Sequence, residues 1–505
     1  MNKNNRHNAT TDNDATYDHI VKYIGLFGGV QGLNLLIGIV RNKITAYLLG
    51  PSGIGLINIY NKVVGLIGQA TNLGLSFSAV KYVAELSEST DHVQRDKLID
   101  TVRMWCLLTA ALGFLVGLFL APWISLWTFG NYGYTPTFCI ISLIVAMSAI
   151  MGGEIAILKG LKRLKKVAII SIFAAVATLL ICIPFYYYWR VNGVVGALVA
   201  SNAVVLVIHI HFSSKVAPWR RSIATINSIK AGSPMVKLGI AYIVAGIFGQ
   251  GADYIILAFI QNNGGLDYVG LYNTGFFLAV SMGAILFSAV EADFFPRLSS
   301  LVNDVKRANM TINRQIKACV HLATPFLIVE VLAMPFMVQL LYTKEFSQAS
   351  SMAICAIFYL FFRAFILPIA YLPLAKGDSK TYLLAEVIYD VFIAIAIPTA
   401  FATYGLVGAG CALSLAGLFD LLFISIYYRT KYKFKFTKPP VWSYLLQFAL
   451  LGVSVYASLQ LSNPWGRWGI SAVALSASLY IAYKELNSEM ALLETITRKI
   501  KKTDS

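Results

Sequence analysis

Charge is what this sequence has little of. Only 13% of its 505 residues are charged, against about 25% in soluble domains. Hydrophobic residues make up 57% and the mean hydropathy is +0.68, which excludes an ordinary soluble domain and points to a polytopic membrane protein. Catalytic signatures are missing too. No G-x-x-x-x-G-K-[ST] phosphate loop occurs, so ATP hydrolysis is not expected, and the six histidines form no HExxH or comparable array. His209 and His211 read as helix caps rather than metal ligands. The six cysteines, Cys106, Cys139, Cys182, Cys319, Cys355 and Cys411, sit in apolar runs without a CxxC pair, the pattern of packing residues. Neither an enzyme activity nor a bound cofactor is expected. Residues Met1 to Asp18 are polar and mixed in charge, so a cleaved leader is not expected either.

What is abundant is apolar sequence in lengths of roughly 20 residues, enough to cross a bilayer. Fourteen such runs can be laid out, from about 21–48 to about 467–484, with short connections between them. The net charge of +17 would suggest nucleic acid in a soluble protein, but here Lys and Arg gather on alternate connections. The opposite connections hold only Arg190, Lys344 and Arg467, while Arg41, Lys43, Lys62 and Arg363 fall within the spans. By the positive-inside rule both termini are cytoplasmic, and no nucleic-acid partner is implied.

An internal repeat is visible. Gly55-Leu56-Ile57-Asn58 matches Gly270-Leu271-Tyr272-Asn273, Leu158-Lys159-Gly160 matches Ala375-Lys376-Gly377, and Asn192 to Ala197 matches Tyr404 to Ala409, at offsets of 215, 217 and 212. Because each half has an even number of spans, the repeat is parallel, and substrate sites in such transporters lie between the halves. The expected organisation is a tail (1–20), a six-helix lobe (21–215), a linker (216–234), a second six-helix lobe (235–430), two extra helices (431–484) and a basic tail (485–505).

Ionisable residues inside spans are costly and usually face protein or a water-filled path. In the first span Gln31, Asn34, Gly38 and Arg41 recur at helical spacing and form one polar stripe. Arg41 is the first candidate to receive an anion crossing the membrane. Lys62 in the second span is comparable, and Lys43 points away from Arg41; for both lysines snorkelling to the interface is the plain alternative. The second lobe carries acids instead: Asp253, Glu291, Asp293, Glu330, Glu386, Asp390 and Asp420, with Arg363 among them. By the repeat, the region around Asp253 is the counterpart of that around Arg41. A buried carboxyl can take up a proton and so couple transport to an ion gradient. The alternative is a buried pair, such as Arg363 with Glu330 or Asp390, that only fixes packing.

The stretch Leu48-Leu49-Gly50-Pro51-Ser52-Gly53-Ile54-Gly55-Leu56, with Gly74-Leu75-Ser76-Phe77, Val80 to Glu85 and the entry Tyr268 to Tyr272, resembles O-antigen and enterobacterial-common-antigen-type flippases of the MOP exporter superfamily. The likeness covers residues 20–430. It implies a V-shaped pair of six-helix lobes in the bacterial inner membrane. Such a protein moves an undecaprenyl-pyrophosphate-linked oligosaccharide outward by alternating access; the embedded carboxyls add the expectation of a proton or sodium gradient as the drive. Membrane lipids and a polysaccharide polymerase with other assembly proteins are the implied partners. A multidrug or small-molecule antiporter of the same superfamily, or a non-transporting scaffold, are the rival readings.

Overall fold

The computed structural model describes residues 4–87, 92–219, 226–436 and 441–503, with side chains described outside 4–29, 31, 226–242, 281–282, 284–286, 288–293 and 488–503. Every regular element among them is helical: α1 (Asn4–Thr71), α2 (Leu75–Ser87), α3 (His92–Phe129), α4 (Thr135–Gly160), α5 (Leu164–Trp189), α6 (Val194–Ser214), α7 (Ile226–Gly264), α8 (Leu266–Ser300), α9 (Val305–Leu341), α10 (Ser347–Ala375), α11 (Ser379–Tyr432), α12 (Val441–Gln460) and α13 (Pro464–Thr503). Apolar sequence in lipid has no water to satisfy its backbone, so each segment closes its own hydrogen bonds as a helix.

Among the described residues eight helical segments are long and apolar enough to cross a membrane, nine if the bent pair Gly32–Thr71 and Leu75–Leu86 is one span. Two of them, Leu164–Ser214 and Ser379–Tyr432, have 51 and 54 residues, more than twice the roughly 20 that one crossing needs. Each turns back at a left-handed residue, Arg190 at φ 52° and Gly405 at φ 61°. Crossings therefore outnumber the eight segments. α7 begins inside the stretch expected as a linker, and α13 runs on into the expected tail.

The chain divides into two compact units, Met1–Leu49 with Tyr60–Ile247, and Gly50–Ile59 with Phe248–Ser505. In the first, α2, α3 and α4 share a core of Leu75, Ala79, Val83, Val102, Cys106 and Ile157. Small residues let α3 and α4 approach: a Cβ on Gly117 would stand 2.3 Å from Ser142 Oγ, and one on Gly153 2.3 Å from Cys106 Sγ. In the second unit α10 is the most enclosed of the eight spans. It packs against α8, α9 and α11. α12 and α13 dock on α9 through a buried polar chain. His321 meets Ser443 and Gln447 at 3.3 Å each, Gln447 Nε2 donates to Ser478 O at 3.1 Å, and Lys317 pairs with Glu485 at 2.9 Å.

The repeat is written into the backbone at one constant shift of 215 residues. Gly50 and Gly265 share a left-handed φ and an extended ψ (63°, −168° and 87°, 178°) and open equivalent helices. Beyond them Asn58 Nδ2 donates to Ile54 O at 2.8 Å and Asn273 Nδ2 to Val269 O at 2.9 Å. Arg163 N donates to Leu158 O at 2.8 Å, and Asp378 N to Pro373 O at 2.9 Å. The two copies even meet: Ser52 Oγ donates to Asp267, its own counterpart. A Cβ on Gly55 would lie 2.2 Å from Leu266 O, and one on Gly270 2.0 Å from Pro51 O. Such reciprocity is the mark of a two-fold contact. The shift also corrects the expected matches: the left-handed partner of Gly377 is Lys162, not Gly160, and that of Gly405 is Arg190.

Where α10 turns into α11, Asp378 accepts from Lys431 Nζ at 2.7 Å, Tyr432 Oη at 2.8 Å, Thr381 Oγ1 at 2.9 Å and Thr381 N at 3.1 Å. The Lys431 ammonium foremost, then the Tyr432 hydroxyl, hold this carboxyl well below the usual carboxylate range. A carboxyl depressed on folding adds stability that is complete above its unfolded pKa, about 3.9, and is lost as pH falls toward the folded value.

Two outcomes follow. Gly270→Ala should lower the thermal midpoint of the purified protein, by the equivalent of about 1–3 kcal/mol for an overpacked contact. Gly68→Ala, where nothing lies within 4 Å, should leave it unchanged or raise it. In a pH series, Asp378→Asn should lower the midpoint at pH 7 and flatten its fall below about pH 4; a variant with the wild-type acid limb would remove Asp378 from the acid response.

Candidate functional site

Two arginines in apolar stretches of the first unit, Arg41 and Arg103, are treated differently. Arg41 stands on α1 eight residues before Leu49, roughly 12 Å along the helix from the break at Gly50. Its side chain is exposed, no carboxylate among the described residues pairs with it, and Cys182 and Tyr186 of α5 lie within its electrostatic reach. Two turns earlier Asn34 Nδ2 donates to Ser171 Oγ of α5 at 3.0 Å, while Asn34 Oδ1 is buried with no hydrogen-bond partner. Asn34 and Arg41 thus share a face along α5, as the helical spacing predicts. The Gln31 side chain lies outside the described residues. Lys43 and Lys62 are half-buried and each has a partner.

Arg103 takes the other course. Its Nε and Nη2 donate to the two oxygens of Glu154 at 2.9 and 3.1 Å, its Nη2 and Nη1 reach Ala217 O and Pro218 O at 2.8 and 3.1 Å, and its guanidinium lies 4.7 Å from the Trp219 ring. Arg103 and Glu154 are 4% and 1% exposed. A bidentate pair with further hydrogen bonds is the geometry in which two buried charges compensate each other. In the sequence Arg103 falls among the Lys and Arg of the alternate connections, and nothing local ties it to Glu154. The missed signal was an acid near the end of α4, opposite a cation one span earlier.

In the second unit most of the expected acids converge. Asp390 lies within electrostatic reach of Glu386 and Asp253, and a Cβ on Gly249 would stand 3.6 Å from its carboxylate. Arg363 interacts with Tyr359, Asp420, Glu386 and Tyr389, so α7, α10 and both halves of α11 build one cluster of four acids and one arginine. Glu330 does not join it. It is 4% exposed on α9, and neither carboxylate oxygen has a hydrogen-bond partner; the alternative pairing of Arg363 with Glu330 is therefore not the one adopted. Glu291 and Asp293 lie outside the described side chains. Among the described residues no group of three or more His, Cys, Asp or Glu is arranged to hold a metal ion. Chemically, among the described residues the first unit offers, in Arg41, a cation that no carboxylate pairs with, and the cluster of the second unit holds four carboxylates to one arginine.

Comparisons with known proteins bear on this pattern. The family model described as polysaccharide biosynthesis protein matches residues 44–351. The Lipid III flippase of Escherichia coli (strain K12) is 27% identical over 167 residues, 33% of this chain and 38% of that protein. The match thus spans less than half the length of this curated relative. Among solved structures, the inward-facing conformation of a multidrug resistance MATE family transporter of the MOP superfamily superposes with a TM-score of 0.65 at 14% identity, over 79% of this chain and 94% of that one. The lipid II flippase MurJ in its inward closed conformation gives 0.64 at 15% identity, over 91% and 99%. At such identities the likeness is one of fold. With a family match over more than half its residues and that fold, the chain belongs to the polysaccharide biosynthesis protein family and is a multi-pass membrane protein built like the MOP-superfamily transporters.

Proposed function

We propose that the chain is a flippase that carries an undecaprenyl-pyrophosphate-linked oligosaccharide, an O-antigen or related surface-polysaccharide unit, across the bacterial inner membrane by alternating access. The observation that carries this reading is Arg41, a guanidinium on the apolar helix of the bent pair Gly32–Thr71 and Leu75–Leu86, with which no carboxylate pairs among the described residues. Flipping breaks no covalent bond and calls for no enzyme chemistry. Its physical difficulty is to shelter a diphosphate from hydrocarbon, and Arg makes strong charge-assisted bonds to phosphate oxygens. Asn34, with an unused buried oxygen, stands two turns away to accept a donor from the substrate, and Lys62 and Lys43 extend the positive field. The flippase names of the relative and of one fold neighbour support the same substrate class.

The acid cluster of the second unit suits coupling. Asp253 and Glu386 lie within electrostatic reach of Asp390, and a proton relieves the repulsion among such like charges. Glu330 is a second place to carry a proton, and Glu291 and Asp293 remain candidates. In this reading fourteen crossings put both termini in the cytoplasm, with a polysaccharide polymerase and other assembly proteins as partners. A second reading, export of small cationic compounds, draws on the same acids and on the fold shared with the MATE transporter.

Expressed in a strain deprived of its own copy, Arg41→Ala should reduce surface glycan by about tenfold or more, the loss expected from one charge-assisted hydrogen bond of roughly 1.5–3 kcal/mol, at normal protein level. Arg41→Lys should retain part of the activity. Full display by Arg41→Ala would remove Arg41 from the mechanism. Altered drug sensitivity with unchanged glycan on deletion would favour the exporter.

A further inference from the structure

A cavity of about 420 Å³ opens in the second unit where α9 ends and α10 begins, walled also by α12 and α13. That volume lies within the roughly 300–1,000 Å³ of small-molecule sites. Lys344 and Arg467 line it together with Thr343, Ser347, Ser350 and Ser458. By the alternation of Lys and Arg along the sequence, Lys344 and Arg467 belong, with Arg190, to the connections where cations are scarce. Two of those three meet in one cavity.

Among the described residues no carboxylate pairs with Lys344 or Arg467. The acid next in sequence, Glu345, lies elsewhere: its Oε2 would be 3.1 Å from a Cβ on Gly50, and Glu345 is not part of the cavity wall. Thr343 Oγ1 is buried with no hydrogen-bond partner. A buried hydroxyl left unmade is costly, so its presence on the wall of a cavity with two uncompensated cations points to something that accepts hydrogen bonds and carries negative charge. Hydroxyls, an ammonium and a guanidinium fork together match the oxygens of a phosphate group.

We propose that this cavity binds a phosphate group, held between Lys344 at the α9–α10 connection and Arg467 on α13. Because the donors come from the α9–α10 connection, α10, α12 and α13, the bound group fastens the last two helices to the rest of the second unit. A phospholipid headgroup and a free phosphate ion share this chemistry, and the test separates them.

The full chain is purified in detergent, and native mass spectrometry and the thermal midpoint are read with added phosphatidylglycerol, with diacylglycerol of the same tails, and with sodium phosphate against sodium chloride at equal ionic strength. Phosphatidylglycerol retained and stabilising, with diacylglycerol inert, assigns the site to a lipid. The same response to sodium phosphate assigns it to the free anion. In either case the double variant Lys344→Ala, Arg467→Ala should bind at least about tenfold more weakly, and the charge-conserving pair Lys344→Arg, Arg467→Lys should keep most of the binding. Arg467→Gln alone gives a second measure of the loss should the double variant fold poorly. Equal retention of phosphatidylglycerol and diacylglycerol, or wild-type binding by the alanine and glutamine variants, would overturn the proposal.

Discussion

A charge placed inside a membrane helix must find a partner, water or a ligand, and this requirement sorts the arginines of the chain. Arg103 is sealed by Glu154, two backbone carbonyls and an indole ring, and its role is to join α3 and α4 to the segment that follows α6. Arg363 sits among acids and tyrosines. Arg41 has neither arrangement. That no carboxylate among the described residues pairs with its guanidinium is what the proposed head-group contact rests on.

The repeat gives that asymmetry a frame. Under the shift of 215 residues, Asn34 corresponds to Gly249, Gly38 to Asp253, Ser171 to Glu386 and Arg41 to Ile256. The neutral Asn34–Ser171 contact of one half thus stands where the acid cluster stands in the other. The position equivalent to Arg41 carries no charge, since Ile256 is apolar and 1% exposed. The backbone has kept its two-fold design, with the Gly50 and Gly265 turns and the glycine crossing of Gly55 and Gly270, while the charges have parted. One framework carries a cation in its first half and carboxylates in its second, a division that suits an anionic cargo and a cationic driver.

How far this was legible in the sequence depends on the kind of interaction. Helices were legible, because apolar length alone forces backbone closure in lipid. The repeat was legible but its register was not. Matching by residue identity paired Gly160 with Gly377, whereas the backbone pairs Lys162 with Gly377, and Arg190 with Gly405. Where one copy uses glycine in the left-handed region, the other forces a long side chain into it, so the letters mislead although the turn is the same. The Asn34–Arg41 stripe followed from helical spacing. The Arg103–Glu154 clasp did not, since its partners lie 51 residues apart and only packing brings them together. For the same reason the partners of Arg363, and the isolation of Glu330, needed the fold.

The central claim is that the unpaired cation in the first half selects a negatively charged lipid-linked cargo. Its most direct test is the rate at which purified protein in liposomes moves a sugar linked to polyprenyl diphosphate, compared with the same sugar linked to a neutral polyprenyl ether. The account predicts rapid movement of the diphosphate-linked sugar and little above the protein-free background for the neutral one. Equal rates for the two would contradict it.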